Sequence, residues 1–155
     1  MLITTGKGKG IALRQVARAL FCAVPSSKLE GRGKRSLSSM LSKAAKQHGG
    51  RLCAIYAGKE GAACEIAFLQ SDAQAGFEWL TPRIMVKKIT FSAPGKYPVS
   101  SCLKLSGAKA RVLSALLPSQ ECDGEPESEI KAGATSLSIS VHGNLVLRAG
   151  VSYVG

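Results

Sequence analysis

The chain has 155 residues, 45% of them hydrophobic and 20% charged, which suits one ordinary domain with a buried core and excludes a disordered polyelectrolyte. Aromatic residues make up only 5%, which argues against a function built on rows of stacking rings, and no apolar stretch approaches the length of a membrane helix. The 21 Lys and Arg residues against 10 Asp and Glu give a formal net charge of +11, which predicts an anionic partner such as phosphates or lipid head groups.

The N-terminal sequence and the cysteines both favour the cytoplasm. No apolar segment typical of a signal peptide follows Met1. The five cysteines lack C-x-x-C spacing, and only His48 and His142 are available as metal co-ligands. We therefore expect free, mostly buried thiols in a reducing compartment, with a disulfide and then a metal site as less favoured alternatives. The cysteines are Cys22, Cys53, Cys64, Cys102 and Cys122.

The first segments alternate between strand, basic loop and helix. Leu2–Thr5 predicts a short strand, and a basic glycine loop, Gly6–Gly10, follows it. Apolar residues of segment 13–24 then recur at intervals of three and four, which predicts an amphipathic helix ended by a proline. Arg14 and Arg18 lie one turn apart on the opposite face of this helix.

A second basic loop, Gly31–Arg35, precedes another predicted helix. Ser36 is a plausible N-cap, and the apolar residues of segment 37–48 mark one helical face that ends at a pair of glycines. Leu52–Ala57 and Ala63–Leu69 follow as two predicted strands joined by a short glycine-containing loop.

The second half begins near Phe77 and has a different balance of elements. Ile84–Phe91 and Tyr97–Leu105 are typical of extended segments, and segment 108–117 predicts a short amphipathic helix closed by a proline. Gln120–Glu129 is predicted to be an acidic, turn-rich loop.

The end of the chain predicts a β-hairpin whose register follows from its apolar residues. A three-residue loop, His142–Asn144, pairs Val141 with Leu145 and Ile139 with Leu147, so that the apolar residues of both strands share a face. A two-residue turn, Gly143-Asn144, would instead pair Val141 with Val146 and put the apolar residues of the two strands on opposite faces. We therefore predict the three-residue loop, with Asn144 in the left-handed conformation.

The positive charge is concentrated in the first half of the sequence. Residues 1–71 hold 12 Lys and Arg against 3 Asp and Glu, whereas residues 72–155 hold 9 against 7. The anion-binding surface is therefore predicted to lie in the first half. The similar order of elements in two halves, approximately 1–75 and 76–155 of a single domain, also indicates an internal duplication.

The strand, the Gly6–Gly10 loop and the following helix together form a candidate phosphate site. Glycines allow phosphate to approach the backbone closely, and a helix N-terminus presents free N–H groups. The loop matches neither G-x-x-x-x-G-K-[ST] nor G-x-G-x-x-G, so contact with a polynucleotide backbone is favoured over a mononucleotide site or a plain turn. Arg32, Lys34 and Arg35 form a second basic loop before a helix, which makes an extended basic surface the better interpretation.

The sequence contains no recognisable catalytic motif. His48 and His142 lie outside any motif with a nucleophile, and no H-x-E or H-E-x-x-H pattern occurs. Tyr56 and Trp79 are candidates for base stacking, but core packing is favoured for both. We therefore expect a protein that contacts phosphates and helical shape, without catalysis, a metal or a cofactor.

Several motifs of the first 70 residues resemble the start of a Brix domain. They are the Leu2–Thr5 strand followed by a basic loop, the helix with Arg14 and Arg18, and the segment Arg32–Leu37. The length is similar to that of the short archaeal members. The resemblance implies an α/β (α+β) fold with two structurally similar halves. Each half would be a small sheet with packed helices, like the anticodon-binding domain of certain aminoacyl-tRNA synthetases.

The resemblance also implies a ribosome biogenesis factor that binds rRNA, pre-rRNA or pre-ribosomal particles. We expect a cytoplasmic, non-enzymatic protein without a membrane partner, with ribosomal proteins as further candidate partners. A protein-interaction module that docks on ribosomal proteins, and a nucleotide-binding enzyme that uses the Gly6–Gly10 loop, are the alternatives. The candidate RNA-binding residues are Lys7, Lys9, Arg14, Arg18, Arg32, Lys34 and Arg35.

Overall fold

The computed structural model of the chain describes residues 1–6, 10–72, 74, 76–92, 99–120 and 122–155. Within them, all strands belong to one mixed sheet with the order β2-β1-β3-β4-β5-β9-β8-β7-β6. The elements are β1 (Leu2–Thr5), α1 (Ile11–Ala23), β2 (Lys28–Leu29), α2 (Leu37–Gln47), β3 (Arg51–Ala57), β4 (Cys64–Asp72), β5 (Gly76–Phe91), β6 (Leu103–Ser106), α3 (Ala110–Leu116), β7 (Ser128–Ala132), β8 (Ser136–Val141) and β9 (Asn144–Val154).

The sheet is parallel at its two ends and antiparallel in the middle. Strand β1 pairs in parallel with β2 and β3, and β6 pairs in parallel with β7, whereas all pairings from β3 through β4, β5, β9 and β8 to β7 are antiparallel. The predicted mixture of helices with a sheet is therefore confirmed. The two-residue strand β2 was not predicted.

Helix α1 lies against one face of the sheet, which we call the inward face. Its residues Leu13, Val16 and Leu20 are buried, as the three-and-four spacing predicts. The helix packs against β1 and β3 and also against β8 and β9. Strands β1 and β8 are five positions apart in the sheet, about 24 Å if the sheet were flat. Because one helix is only about 10 Å wide, the sheet must curve around α1.

Helix α2 packs on the opposite, outward face. Alternate residues of the first strands, such as Leu52 and Leu69, are buried together with Met40, Leu41 and Ala44 of this helix. The third helix, α3, buries its leucines in the same cluster as α1 and therefore lies on the inward side. Among the helices of the described residues, only α2 covers the outward face, and it does so over β3 and β4.

The predicted hairpin register is right in the strands and wrong at the turn. Ile139 lies opposite Leu147, as predicted, but Val141 lies opposite Asn144 and not opposite Leu145. The loop has two residues, His142 and Gly143, with φ of 49° and 79°. Such left-handed pairs suit the twist of a tight hairpin, and glycine adopts them without strain. An irregularity after Ile139 then restores the predicted alignment of apolar residues.

The prediction of free thiols is wrong for two of the cysteines. Cys102 and Cys122 form a disulfide that joins the residue before β6 to the loop before β7, whereas Cys22, Cys53 and Cys64 are free and buried. The cysteine content therefore no longer argues for a reducing compartment. The loop predicted over 120–129 is also shorter, because β7 begins at Ser128 and includes Glu129.

The preference for core packing is wrong for Trp79. Phe77 and Trp79 of β5 are 52% and 46% exposed, while Tyr56 is only partly buried. Strand β5 starts at Gly76, eight residues before the predicted strand, and its first residues pair with β4 alone. Among the described residues, no helix is long and apolar enough to cross a membrane.

Candidate nucleic-acid interface

Three parallel strands bring the basic loops of the first half to one edge of the sheet. Strands β1, β2 and β3 are parallel neighbours, so their carboxyl ends point to the same edge. The described residues that follow these strands are Gly6 and Gly10 before α1, 30–36 before α2, and 58–63 before β4. The carboxyl ends of parallel strands are where ligands commonly bind in open sheets. We call the described parts of these segments, with Arg14, the strand-end surface.

The first loop starts where the backbone leaves little room for a side chain. The Gly6 N–H donates to the Ile55 carbonyl at 2.6 Å, and a Cβ on Gly6 would lie 2.7 Å from Cδ1 of Tyr56. A larger residue would therefore clash with the ring. Helix α1 begins after Gly10 without a side-chain cap, so its first N–H groups point toward the strand-end surface. The predicted contacts Lys7 and Lys9 lie outside the described residues.

The second loop ends in a capped helix, as predicted. The Ser36 hydroxyl accepts a hydrogen bond from the Ser39 N–H at 3.1 Å, which fixes the start of α2. Both helices therefore begin at the edge where the parallel strands end. The positive ends of their dipoles add to the side-chain charge there, and this arrangement favours an anion.

A single carboxylate, that of Glu30, organises the cations of the second loop. The Lys43 ammonium donates to Glu30 Oε1 at 2.8 Å and Oε2 at 2.6 Å, and the Arg35 guanidinium forms an ion pair with Oε1. Lys28 lies 3.9 Å away from Oε2. The Glu30 side chain is 17% exposed, and the hydrogen bonds from Lys43 and then Arg35 lower its pKa to about 2. The cluster therefore keeps a net positive charge at neutral pH.

The predicted cations of this loop differ in what they contact. Arg35 donates to the Gly31 carbonyl at 2.6 Å in addition to its ion pair, so it holds the loop in shape. Arg32 donates through Nε to the Arg35 carbonyl at 2.9 Å. Among the described residues, neither Arg32 nor Lys34 forms an ion pair. Their charges remain available to a ligand, and the charge of Arg32 lies close enough to Tyr56 to oppose the increase that burial causes in its pKa.

The two arginines of α1 extend the basic surface along the helix. Arg14 and Arg18 are exposed, as predicted, while the other face of the helix is buried. Arg14 lies in the first turn, within the strand-end surface, and Arg18 lies one turn further along the helix. Arg18 is near enough to Cys22 to oppose the increase that burial causes in the pKa of this thiol.

Three more cations of the first half belong to this region. Lys28 and Lys43 contact Glu30, and Lys59 lies in the loop between β3 and β4. Lys43 is recognisable in the sequence as a helix cation. Its ion pair with Glu30 spans 13 residues, however, and no local pattern predicts it. Lys59 becomes part of the surface only because β3 is parallel to β1.

Metal-ligating and thiol side chains are the next feature of the described residues. No group of three or more His, Cys, Asp or Glu among them is arranged to hold a metal ion. Burial raises the pKa of the Cys53 thiol, and it raises that of Cys64 to about 11, so both stay protonated at neutral pH.

The fold of the chain was compared with those of known proteins. No family model and no curated protein sequence matches the chain. Structural comparison, in contrast, places the fold among proteins described as ribosome biogenesis or Imp4-like proteins.

Two solved structures match the chain over nearly its whole length. A probable ribosomal biogenesis protein from Aeropyrum pernix K1 has a TM-score of 0.73 and 13% sequence identity, and the match covers 97% of this chain and 94% of that one. Mil, an archaeal Imp4-like protein, has a TM-score of 0.65 and 17% identity, with 100% of both chains covered. The chain therefore shares the fold of these proteins.

Proposed function

We propose that this protein is a non-catalytic ribosome biogenesis factor that binds rRNA or pre-rRNA through the strand-end surface, in the cytoplasm. The observation that carries the proposal is that the loop with Arg32 and Lys34 and the N-termini of two helices lie at the same edge of the sheet. The likeness in fold to two proteins described as ribosome biogenesis or Imp4-like proteins supports the same function.

The proposed contacts are electrostatic and made to the phosphate backbone. Arg32 and Lys34 would neutralise phosphates directly, because neither forms an ion pair among the described residues. Arg35 would mainly hold the loop, and Arg14 and Arg18 would extend the contact along α1. Lys7 and Lys9 remain part of the proposal from the sequence. Such contacts give affinity with little base specificity.

We also propose that the chain is a single Brix-like domain of two related halves, approximately 1–75 and 76–155, each similar to an anticodon-binding domain. The sheet supports this proposal because it ends in a parallel strand pair on both sides, β2 with β1 and β6 with β7. In each half, a helix follows the first parallel strand, α1 after β1 and α3 after β6.

The salt dependence of RNA binding tests the proposed surface. If about six phosphates are neutralised, log K against log salt concentration should have a slope near −4 to −5. An Arg32→Ala/Lys34→Ala variant should flatten this slope by about 1.5 to 2 and weaken different RNAs similarly. The control is Lys46→Ala/Arg111→Ala, which removes the same charge from exposed positions on α2 and α3 outside the surface. Equal slopes for the two double variants would contradict the assignment.

Docking on ribosomal proteins is a second candidate function, and one observation favours it. Phe77 and Trp79 are half-exposed on the part of β5 that pairs with β4 alone, and Asp72 lines the same cavity as Phe77. An exposed aromatic pair with a carboxylate near one of its rings suits a basic, partly apolar protein segment. A Trp79→Ala variant that keeps its RNA affinity but no longer associates with pre-ribosomal particles would support this function. Full association would contradict it.

A further inference from the structure

The outward face of the last strands is polar and is not covered by any helix of the described residues. On β7, β8 and β9, buried apolar residues alternate with outward-facing polar ones, as expected for a half-solvated sheet. Helices α1 and α3 take up the inward face. We call this surface the open face. Its outward residues are Lys104, Ser106, Glu129, Lys131, Ser136, Ser138, Ser140, Arg148, Gly150 and Ser152.

The floor of the open face is made of short side chains. Four of the outward residues on β8 and β9 are serines, and a Cβ built on Gly150 would meet no heavy atom within 4 Å. A ligand can therefore approach the sheet closely and accept hydrogen bonds from hydroxyl groups. Apolar side chains on the outward side, Met85 and Leu145, belong to the margins, at β5 and beside the hairpin turn.

Two cationic side chains of the open face lie in one row across the neighbouring strands. The strand pairing places Arg148 beside Ser138, Ser138 beside Lys131, and Lys131 beside Ser106. Arg148 and Lys131 are therefore two strands apart, about 10 Å. Both are exposed, and neither forms an ion pair within the described part of the chain.

The surroundings of this row are also positive. Lys104 is exposed on the edge strand β6, and Lys87 and Lys88 are exposed at the irregularity of β5 that lies opposite β9. The acidic residue of β6 to β9 on this face is Glu129, whose Oε1 accepts a hydrogen bond from the Ser106 hydroxyl at 2.5 Å. At the margin, Glu65 of β4 lies near Lys87 and forms an ion pair with Arg83 at 2.8 Å, so this pair adds no net charge. The five cations and Glu129 therefore leave the face with a net positive charge.

We infer that the open face binds the phosphodiester backbone of RNA, as a second contact separate from the strand-end surface. The inference rests on the proposed function, because RNA is the ligand in both. Charge complementarity and the hydroxyl-lined floor favour a phosphate chain. A protein partner of standard size would need an apolar centre, which the serine-rich floor does not provide. The centre of the open face is five strands away from β1, so one RNA would have to extend around the protein to reach both surfaces.

A substitution at Gly150 tests the open face without removing any native contact. Gly150→Glu places a carboxylate in open space between the cations, and Gly150→Gln is the matched neutral control. The probe is a fluorescein-labelled RNA hairpin with a double-stranded stem, followed by fluorescence anisotropy. We expect the Glu variant to bind at least threefold more weakly than the Gln variant, with the same unfolding midpoint in urea.

A second variant removes the cations themselves. Arg148→Ala/Lys131→Ala should flatten the slope of log K against log salt concentration by about 1.5 to 2, as expected for two lost phosphate contacts. Lys46→Ala/Arg111→Ala again serves as the control for overall charge. An NMR titration with the same hairpin should shift the backbone amide signals of Ser138, Arg148 and Gly150.

Different measurements would contradict RNA binding by each of the two surfaces. Equal affinities for Gly150→Glu and Gly150→Gln, together with an unchanged slope for Arg148→Ala/Lys131→Ala, would overturn RNA binding by the open face. The strand-end surface would still be tested separately, by Arg32→Ala/Lys34→Ala. Weaker binding in the open-face variants alone, with Arg32→Ala/Lys34→Ala unchanged, would support the open face and overturn the strand-end assignment. A wild-type protein without salt-dependent RNA binding would overturn both.

Discussion

The two ends of the sheet differ in which of their faces are covered by helices. Around β1 to β4, helices lie on both faces, with α1 inside and α2 outside, and outward residues such as Ala54 and Leu69 are buried. Around β6 to β9, the helices of the described residues lie only on the inward face, and the outward residues are mainly serines and cations, with a glutamate, a glycine and, beside the hairpin turn, Leu145. The strands of the first region contain nearly continuous apolar runs and form a two-sided core, whereas those of the second region alternate and leave one face solvated.

This difference determines where each region of the sheet can expose charged side chains. The first region stabilises both sides of its strands by apolar burial, so its available charges lie in the loops at the strand ends. The second region has no outer helix within the described residues, so its strands can present cations directly. A disulfide beside the edge strand β6 gives this region a covalent constraint in place of a second helical layer.

The largest effect should come from a charge placed under α2. Ala54 is 1% exposed beneath this helix, so Ala54→Glu should lower the free energy of unfolding by about 3–5 kcal/mol, the usual result of burying an unpaired charge. Ser138→Glu makes a comparable change on the open face, between Arg148 and Lys131, and should stay within about 1 kcal/mol of wild type. Urea unfolding measures both, and equal losses would show that the open face is covered.

Loss of the disulfide should come next. Its two cysteines are 20 residues apart, and closing a loop of this length stabilises a domain by about 3 kcal/mol. A Cys102→Ala/Cys122→Ala variant should therefore unfold at a lower urea concentration than wild type. Reducing agent should destabilise the wild type to a similar extent and leave the variant unchanged. A reduced wild type as stable as the oxidised protein would contradict this role.

Removing the cap of α2 should have a smaller effect on the first region. Ser36→Ala leaves the Ser39 N–H without its acceptor and should cost about 1 kcal/mol. Ser39→Ala is the matched control, since its exposed side chain is not the capping group and alanine favours the helix. The difference between the two variants in urea measures the cap alone. Equal stabilities would indicate that α2 starts without help from Ser36.

Local patterns predicted most elements, because the forces that form them act between neighbours. The three-and-four spacing predicted α1 and α2, and the alternation of apolar residues predicted β8 and β9. Such patterns do not determine a two-residue strand such as β2, whose residues are both exposed. They also do not determine which strands become neighbours, because β5 and β9 lie about sixty residues apart along the chain.

The net charge of residues 72–155 did not indicate that cations gather on one face of the second half. Residues 72–155 have a small net charge because five of their seven acidic residues fall within 121–129. The cations of this half occur singly, as Lys131 between Ile130 and Ala132 and as Arg148 between Leu147 and Ala149. Only the pairing of distant strands gathers them on one face. Arg32, Lys34 and Arg35 could be named as candidates from the sequence because they lie close together along the chain.

The last prediction concerns the pH dependence of the first region. Glu30 has a folded-state pKa of about 2, below its ordinary value of 4.5, because Lys43 and Arg35 donate to it. Its ionised form is thus favoured by folding, and this contribution to stability is fully present above pH 4.5. Below pH 4.5 the unfolded chain takes up the proton first, so the contribution declines progressively as the pH falls toward 2.

A Glu30→Gln variant isolates this contribution. At pH 7 it should be less stable than wild type, since it lacks the carboxylate that joins the loop to Lys43 of α2. The difference should shrink steadily as the pH is lowered from 4.5 toward 2, and 1 M salt should shrink it at pH 7 as well, because these ion pairs are near the surface. Urea midpoints at pH 7 and pH 3 measure the change. A difference that is the same at both pH values would mean that the cations do not stabilise this carboxylate, and that the loop keeps its shape through its backbone hydrogen bonds.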